Sequence, residues 1–168
     1  IYRASVKGNI YIMLPMITTR EELDSARAMS EEVKLELMAE NIPFKDIPIG
    51  IMIETPSAAL ISDELAEASD FFSVGTNDLT QYTMAADRQN PALSDLYRPD
   101  SRAVLRLIKL AADNIHKRGK WIGICGEAAA DSRLLEIFMA MGIDELSVSP
   151  RRVLYVRDAV SRTDCTAS

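Results

Sequence analysis

The chain has 168 residues, of which 48% are hydrophobic and 26% are charged, a composition typical of one globular domain. Its formal net charge of -6 argues against non-specific binding to nucleic acid or to an anionic membrane surface. It has no apolar run near the ~20 residues of a membrane helix and only two cysteines, Cys125 and Cys165, so we expect a cytoplasmic protein without a disulfide framework.

Five short apolar segments predict β-strands. They are rich in Ile, Val and Met and are nearly continuous rather than alternating, which is typical of strands buried on both faces of a parallel sheet. The predicted strands are residues 10–16, 47–55, 70–78, 120–127 and 144–150.

Helical patterns separate these strands. Residues 18–41 open with a threonine cap and an acidic first turn, residues 56–68 begin with proline, and residues 101–119 run from a serine cap to a glycine. Residues 131–142 and 151–161 predict two more helices, and a polar loop at 87–100 is long enough to be functional. The apolar face of the first helix is predicted to contain Leu23, Ala26, Val33, Leu37 and Met38. This alternation predicts an α/β fold with a parallel sheet.

Polar side chains follow three of the predicted strands. The second strand ends at Glu54, the third at Asn77 and Asp78, and the fourth at Cys125, Gly126 and Glu127. Because parallel α/β folds bind ligands at the carboxyl ends of their strands, we expect these side chains to share one rim.

Two carboxylates on neighbouring strands repel each other unless a cation lies between them. Glu54 and Asp78 therefore predict a site for Mg²⁺, or for Mn²⁺, which prefer oxygen ligands. Asn77 beside them is placed to hydrogen-bond a substrate oxygen, and Arg88 to reach back to a phosphate or carboxylate.

Each of these residues also has a structural interpretation. The Asn–Asp pair at 77–78 is suited to capping a helix, Glu54 to an exposed loop, and Arg88 to solvent. Cys125 fits a small buried hydrophobic residue as well as a reactive thiol. The helix dipole accounts for His116, which we give no catalytic role.

Several motifs resemble one known family. The stretches GIMIETPSAA, FFSVGTNDLTQYTMAADRQNP and WIGICGEAAAD, with IMLPM and YRPDS, resemble the phosphoenolpyruvate-utilising enzymes, and within them the substrate-binding domain of enzyme I of the bacterial phosphotransferase system. The resemblance covers residues 1–150. It implies a (β/α)₈ barrel that binds Mg²⁺ and phosphoenolpyruvate at its C-terminal rim.

By position, the resemblance implies a role for each residue already singled out. Glu54 and Asp78 would be the metal ligands, and Asn77, Asp78 and Arg88 would contact the substrate. Cys125 would be the acid that protonates C3 of the enolate as pyruvate forms. The phosphoryl group would pass to an enzyme histidine and then to a phosphocarrier protein.

The resemblance also implies that the chain is incomplete. Five predicted strands match the C-terminal part of an eight-stranded barrel, and the chain begins with Ile1 rather than methionine. We therefore expect residues 1–168 to form a partial barrel domain, inactive alone, without its upstream strands or the phosphohistidine domain, and to dimerise. Two alternatives stay open: the pyruvate phosphate dikinase or phosphoenolpyruvate synthase branch, and a non-catalytic dimerisation module. Cys165 has no assigned role.

Overall fold

The computed structural model describes residues 1–163, and Cys165 lies outside this part of the chain. The sheet contains five strands: β1 (Ile12–Leu14), β2 (Ile49–Ile53), β3 (Phe72–Gly75), β4 (Ile122–Cys125) and β5 (Glu145–Leu146). The helices are α1 (Tyr2–Ser5), α2 (Arg20–Ala39), α3 (Pro56–Leu60), α4 (Ser62–Ala68), α5 (Thr76–Met84), α6 (Arg102–Lys117), α7 (Ser132–Ala140) and α8 (Val153–Arg162). Short 3₁₀ turns span Pro91–Leu93, Glu127–Ala130 and Pro150–Arg152.

The strands are all parallel and lie in the order β1-β2-β3-β4-β5. Each strand therefore pairs with the next one along the chain, as in a (β/α)₈ barrel, whereas a doubly wound sheet reverses its strand order. Right-handed crossovers place the connecting helices on one face of such a sheet. The predicted α/β fold with five parallel strands is confirmed, although every strand is shorter than predicted.

The core lies between the sheet and its helices. β3 is buried along its whole length, and β2 and β4 are buried except at one position each. The prediction of strands buried on both faces thus holds for these three, while β1 and β5, at the two edges of the sheet, are partly exposed. On the helix side, α6 packs Val104, Ile108, Ala111, Ala112 and Ile115 into the core at helical spacing.

Local sequence signals set most helix boundaries. Thr19 and Glu22 form a reciprocal capping box at the start of α2, and Ser101 accepts a hydrogen bond from the amide of Val104 at the start of α6. The predicted helix at 56–68 is two helices, because the chain leaves helical geometry at Ile61.

One prediction about the first part of the chain is wrong, and one helix there was not predicted. Met38 of α2 is 60% exposed and Val33 is also exposed, so the buried face of that helix is narrower than its apolar residues indicate. The sequence reasoning also missed α1, which is a single turn with buried Tyr2 and Ser5. Within residues 1–163, no helix has both the length and the apolar composition needed to cross a membrane.

Candidate active site at the carboxyl ends of the strands

Glu54 follows the last residue of β2 and is only 4% exposed, which contradicts the exposed-loop interpretation. The backbone amide of Met16, a residue with a φ of 55°, donates a 2.7 Å hydrogen bond to Glu54 Oε1. Burial raises the pKa of Glu54, the Met16 amide opposes this, and the carboxylate of Asp78 raises the pKa further. Gly75 leaves room for the second oxygen, since a Cβ there would lie 2.8 Å from Glu54 Oε2.

Asp78 lies in the first turn of α5, which begins directly after β3. Its Oδ1 is 3.8 Å from Nη1 of Arg88, and these side chains are 33% and 38% exposed. Arg88 therefore reaches back to the rim, as the sequence predicts. A cation bound to the accessible carboxylate would attract an anionic ligand. The neighbouring arginine and the helix N-terminus are well placed to bind the same anion.

The two carboxylates suit a hard divalent cation. In residues 1–163, no group of three or more His, Cys, Asp or Glu side chains is arranged to hold a metal ion, while Glu54 and Asp78 interact as a pair. Mg²⁺ commonly binds one or two protein carboxylates and completes its shell with water and substrate oxygens. Burial and the nearby carboxylate of Asp78 both raise the pKa of Glu54, and a cation between the two carboxylates would offset both effects.

Asn77 bridges the ends of two strands. Its Oδ1 accepts a 3.3 Å hydrogen bond from the amide of Glu127, which follows β4, and its backbone carbonyl accepts a 3.2 Å bond from the hydroxyl of Tyr97. The N-cap of α5 is Gly75, without a side-chain capping bond, so the capping interpretation of residues 77–78 is wrong. Oδ1 can only accept hydrogen bonds, so the Nδ2 group is the part of the amide that can donate to a ligand.

Cys125 is the last residue of β4 and its thiol is half-buried. Sγ donates to the carbonyl of Val74 across a 3.4 Å contact. Burial raises the pKa of Cys125, a hydrogen bond with Ser73 opposes this, and the charges of Glu54 and other carboxylates raise the pKa further. The thiol is therefore protonated at neutral pH, the form that can donate a proton.

A hydrogen bond joins Thr76, the residue before Asn77, to Cys125. The hydroxyl of Thr76 donates a 2.8 Å bond to the carbonyl of Cys125. Gly126 follows with a φ of 91°, and a Cβ there would lie 2.5 Å from Thr76 Oγ1. The sequence reasoning placed Thr76 and Gly126 at strand ends but gave no role to them, and it gave none to Met16 or Tyr97; of these residues, only the glycine after a strand was a usable signal.

A cavity of about 870 Å³ opens beside the thiol. Such a volume lies within the range of small-molecule sites. Its polar and charged lining includes Asn77, Asp100, Cys125, Glu127, Asp131, Arg133, Ser147, Ser149 and Arg152. The predicted site residues Asn77 and Cys125 thus face one space, and Glu54, Asp78 and Arg88 are grouped at the adjacent strand ends.

His116 lies at the other end of the sheet. Its Nε2 is 2.9 Å from Oδ2 of Asp144, and the same oxygen accepts a hydrogen bond from the amide of Ile122, the first residue of β4. Since Cys125 is the last residue of that strand, His116 is separated from the rim by the length of β4.

Comparison with known proteins places the chain in one family. A family model described as PEP-utilising enzyme, PEP-binding domain matches residues 1–165. A phosphoenolpyruvate-protein phosphotransferase of Enterococcus faecalis is 48% identical over 165 residues, which are 98% of this chain and 29% of that protein. One of Lactococcus lactis is 47% identical over 163 residues, 96% of this chain and 28% of that protein. The chain therefore belongs to the PEP-utilising enzymes, matching their PEP-binding domain over less than a third of these relatives' length.

The fold has a counterpart among solved structures. A citrate lyase from Burkholderia xenovorans superposes with a TM-score of 0.67 at 19% identity, covering 97% of this chain and 52% of that one. At this identity the likeness concerns the fold alone, and it agrees with a partial (β/α)₈ barrel.

Proposed function

Because the chain belongs to the PEP-utilising enzymes, we propose that it carries a Mg²⁺-dependent phosphoenolpyruvate site of a phosphotransferase. In the whole enzyme the phosphoryl group would pass to a histidine on another domain and then to a phosphocarrier protein, releasing pyruvate. The observation that carries the proposal is the acidic pair of Glu54 and Asp78, flanked by Arg88 and lying at the same rim as Asn77 and the Cys125 thiol.

The residues of the chain divide the work of binding. Glu54 and Asp78 would hold the cation, which when bound neutralises charge on the phosphate and carboxylate of the substrate. The Nδ2 group of Asn77 would donate to a phosphate oxygen, and the Arg88 guanidinium would bind the substrate's anionic groups. The amide of Met16 holds Glu54 Oε1 in place, which reduces reorganisation when the cation binds.

Cys125 would complete the reaction at carbon. Loss of the phosphoryl group leaves the enolate of pyruvate, and the Sγ–H bond breaks as a C–H bond forms at C3. The resulting thiolate then recovers a proton from solvent. The raised pKa of Cys125 supports this role, because the proton donor must be present as a thiol before the enolate forms.

The phosphoryl acceptor is proposed to lie outside this chain. His116 is the single histidine of the sequence, and it is held by Asp144 at the opposite end of β4. We therefore expect residues 1–168 to bind the substrate without completing the transfer. The identity of 47–48% to proteins named phosphoenolpyruvate-protein phosphotransferase favours this branch over the dikinase and synthase branch.

Calorimetric titration of phosphoenolpyruvate into the 168-residue chain, with and without Mg²⁺, tests the proposal. We expect binding that requires Mg²⁺, disappears in Asp78→Asn and persists in Asp113→Asn, a control carboxylate that pairs with Lys109 on the exposed face of α6. Equal binding without Mg²⁺, or unchanged binding in Asp78→Asn, would contradict the assigned site. An absence of binding to the unmodified chain in the presence of Mg²⁺ would contradict the proposal that these residues hold the substrate.

The non-catalytic alternative has one observation in its favour. A mostly apolar groove of about 700 Å³ lies at the β1 edge, where Ile12 and Leu14 face Met29 and Val33 of α2. We propose that the chain forms a homodimer through this apolar groove. A monomeric mass in light scattering would contradict the dimer. A dimerisation module alone would give the dimer without phosphoenolpyruvate binding.

A further inference from the structure

Tyr97 is a loop residue whose hydroxyl reaches the candidate site. It lies between α5 and α6, nine residues after Arg88 in the sequence. Its hydroxyl donates a 3.2 Å hydrogen bond to the backbone carbonyl of Asn77, in the first turn of α5. The far part of the polar loop is thereby joined to the helix turn that carries Asn77 and Asp78.

The surroundings of that hydroxyl are the charged groups of the rim. Burial raises the pKa of Tyr97, the guanidinium of Arg88 opposes this, and the carboxylates of Glu127 and Asp78 raise the pKa further. The phenol therefore lies among side chains from the loop, from α5 and from the turn after β4.

Few hydrogen bonds tie this loop to the rest of the chain. Among the described bonds of residues 87–100, three leave the segment: the amide of Arg88 donates 3.2 Å to Gln81 Oε1, Tyr97 donates to Asn77, and the carbonyl of Arg98 accepts from the amide of Ser101, the next residue along the chain after the loop. The others are local turns, such as the amide of Tyr97 donating to the carbonyl of Leu93. The Tyr97 hydroxyl is therefore the bond that brings the later part of the loop back to the rim.

We propose that Tyr97 is a positioning residue: its bond to Asn77 holds the loop of residues 87–100 over the rim and keeps Arg88 next to Asp78, so that the substrate's anionic groups are bound more tightly. The inference rests on the proposed function and extends it to a residue that does not itself carry charge. Tyr97 acts through Asn77 and Arg88, and its hydroxyl makes no described hydrogen bond to Glu54 or Asp78.

The test compares Tyr97→Phe with Tyr82→Phe, an exposed tyrosine of α5. The first readout is amide hydrogen exchange without ligand, in which we expect faster exchange across residues 87–100 in Tyr97→Phe only. The second is calorimetry, in which Tyr97→Phe should raise the phosphoenolpyruvate Kd by about 3- to 10-fold, the effect of one lost hydrogen bond, and leave the Mg²⁺ Kd unchanged.

The outcomes separate this inference from the proposed function. Unchanged loop exchange in Tyr97→Phe, or equal weakening of the Mg²⁺ and phosphoenolpyruvate affinities, would overturn the positioning role. If the unmodified chain binds no phosphoenolpyruvate in the presence of Mg²⁺, the proposed function is what fails. In that case the exchange data alone decide whether Tyr97 holds the loop of residues 87–100. Faster exchange of the loop in Tyr97→Phe supports that role, and unchanged exchange overturns it.

Discussion

Replacement of Gly126 by alanine should disrupt the contact between the ends of β3 and β4. Gly126 has a φ of 91° and a ψ of -176°, a region that is essentially restricted to glycine and costs other residues on the order of 1–3 kcal/mol. The new Cβ would also lie 2.5 Å from Thr76 Oγ1, and overpacking of this kind costs about 1–3 kcal/mol more. Thr76 relieves the collision by turning its hydroxyl away from the carbonyl of Cys125, which breaks their bond.

Gly126→Ala is therefore expected to lower the free energy of unfolding by about 2–6 kcal/mol, measured by urea denaturation followed by circular dichroism. Gly119→Ala is the matched control, because Gly119 also has a positive φ, of 68°, but its added Cβ would meet no atom within 4 Å. The control should lose only about 1–2 kcal/mol from backbone strain. Equal losses in the two variants would refute the close packing of Gly126 against Thr76.

Two other predictions concern the same strand ends. Thr76→Val removes the bond to the Cys125 carbonyl and should lower the unfolding free energy, measured by urea denaturation, by about 1 kcal/mol. Thr80→Val is the control, because the buried Thr80 hydroxyl has no described partner, and it should cost less or stabilise the protein. A larger loss in Thr80→Val than in Thr76→Val would contradict the Thr76 bond. The second prediction concerns the alkylation of Cys125, measured against pH in Cys165→Ser protein without metal. The rate should reach half its maximum at a higher pH in the folded protein than in the protein unfolded in urea, because burial raises the pKa of Cys125 and the thiolate is the reactive form. Identical pH profiles in the two states would contradict that pKa shift.

The sequence predicts the architecture well because the relevant signals are local. Continuous apolar runs mark the inner strands, and the cap Ser101 and the first-turn proline Pro56 mark helix starts. The buried face of α2 was predicted wrongly because exposed apolar residues such as Met38 fit the helical spacing. Hydrophobicity alone does not say which face of a helix a neighbouring element covers. The break at Ile61 carries no glycine or proline signal.

The site is predictable only in part for a similar reason. Glu54 directly follows β2, Asp78 lies in the helix turn that follows β3, and Cys125 ends β4, so the parallel topology is enough to bring them to one rim. Tyr97 reaches that rim through a loop of irregular turns, and Met16 contacts Glu54 across 38 residues of sequence. Neither contact follows from periodicity or spacing, because each depends on how a loop folds back in three dimensions.

The central claim is that Glu54 and Asp78 together bind the cation of a phosphoenolpyruvate site. The most direct measurement is anomalous diffraction from crystals of the 168-residue chain grown with Mn²⁺ and phosphoenolpyruvate. We predict one strong peak in contact with carboxylate oxygens of both residues, next to density for the substrate near Asn77 and Arg88. A peak bound elsewhere, or substrate density at this rim without a metal between Glu54 and Asp78, would contradict the account.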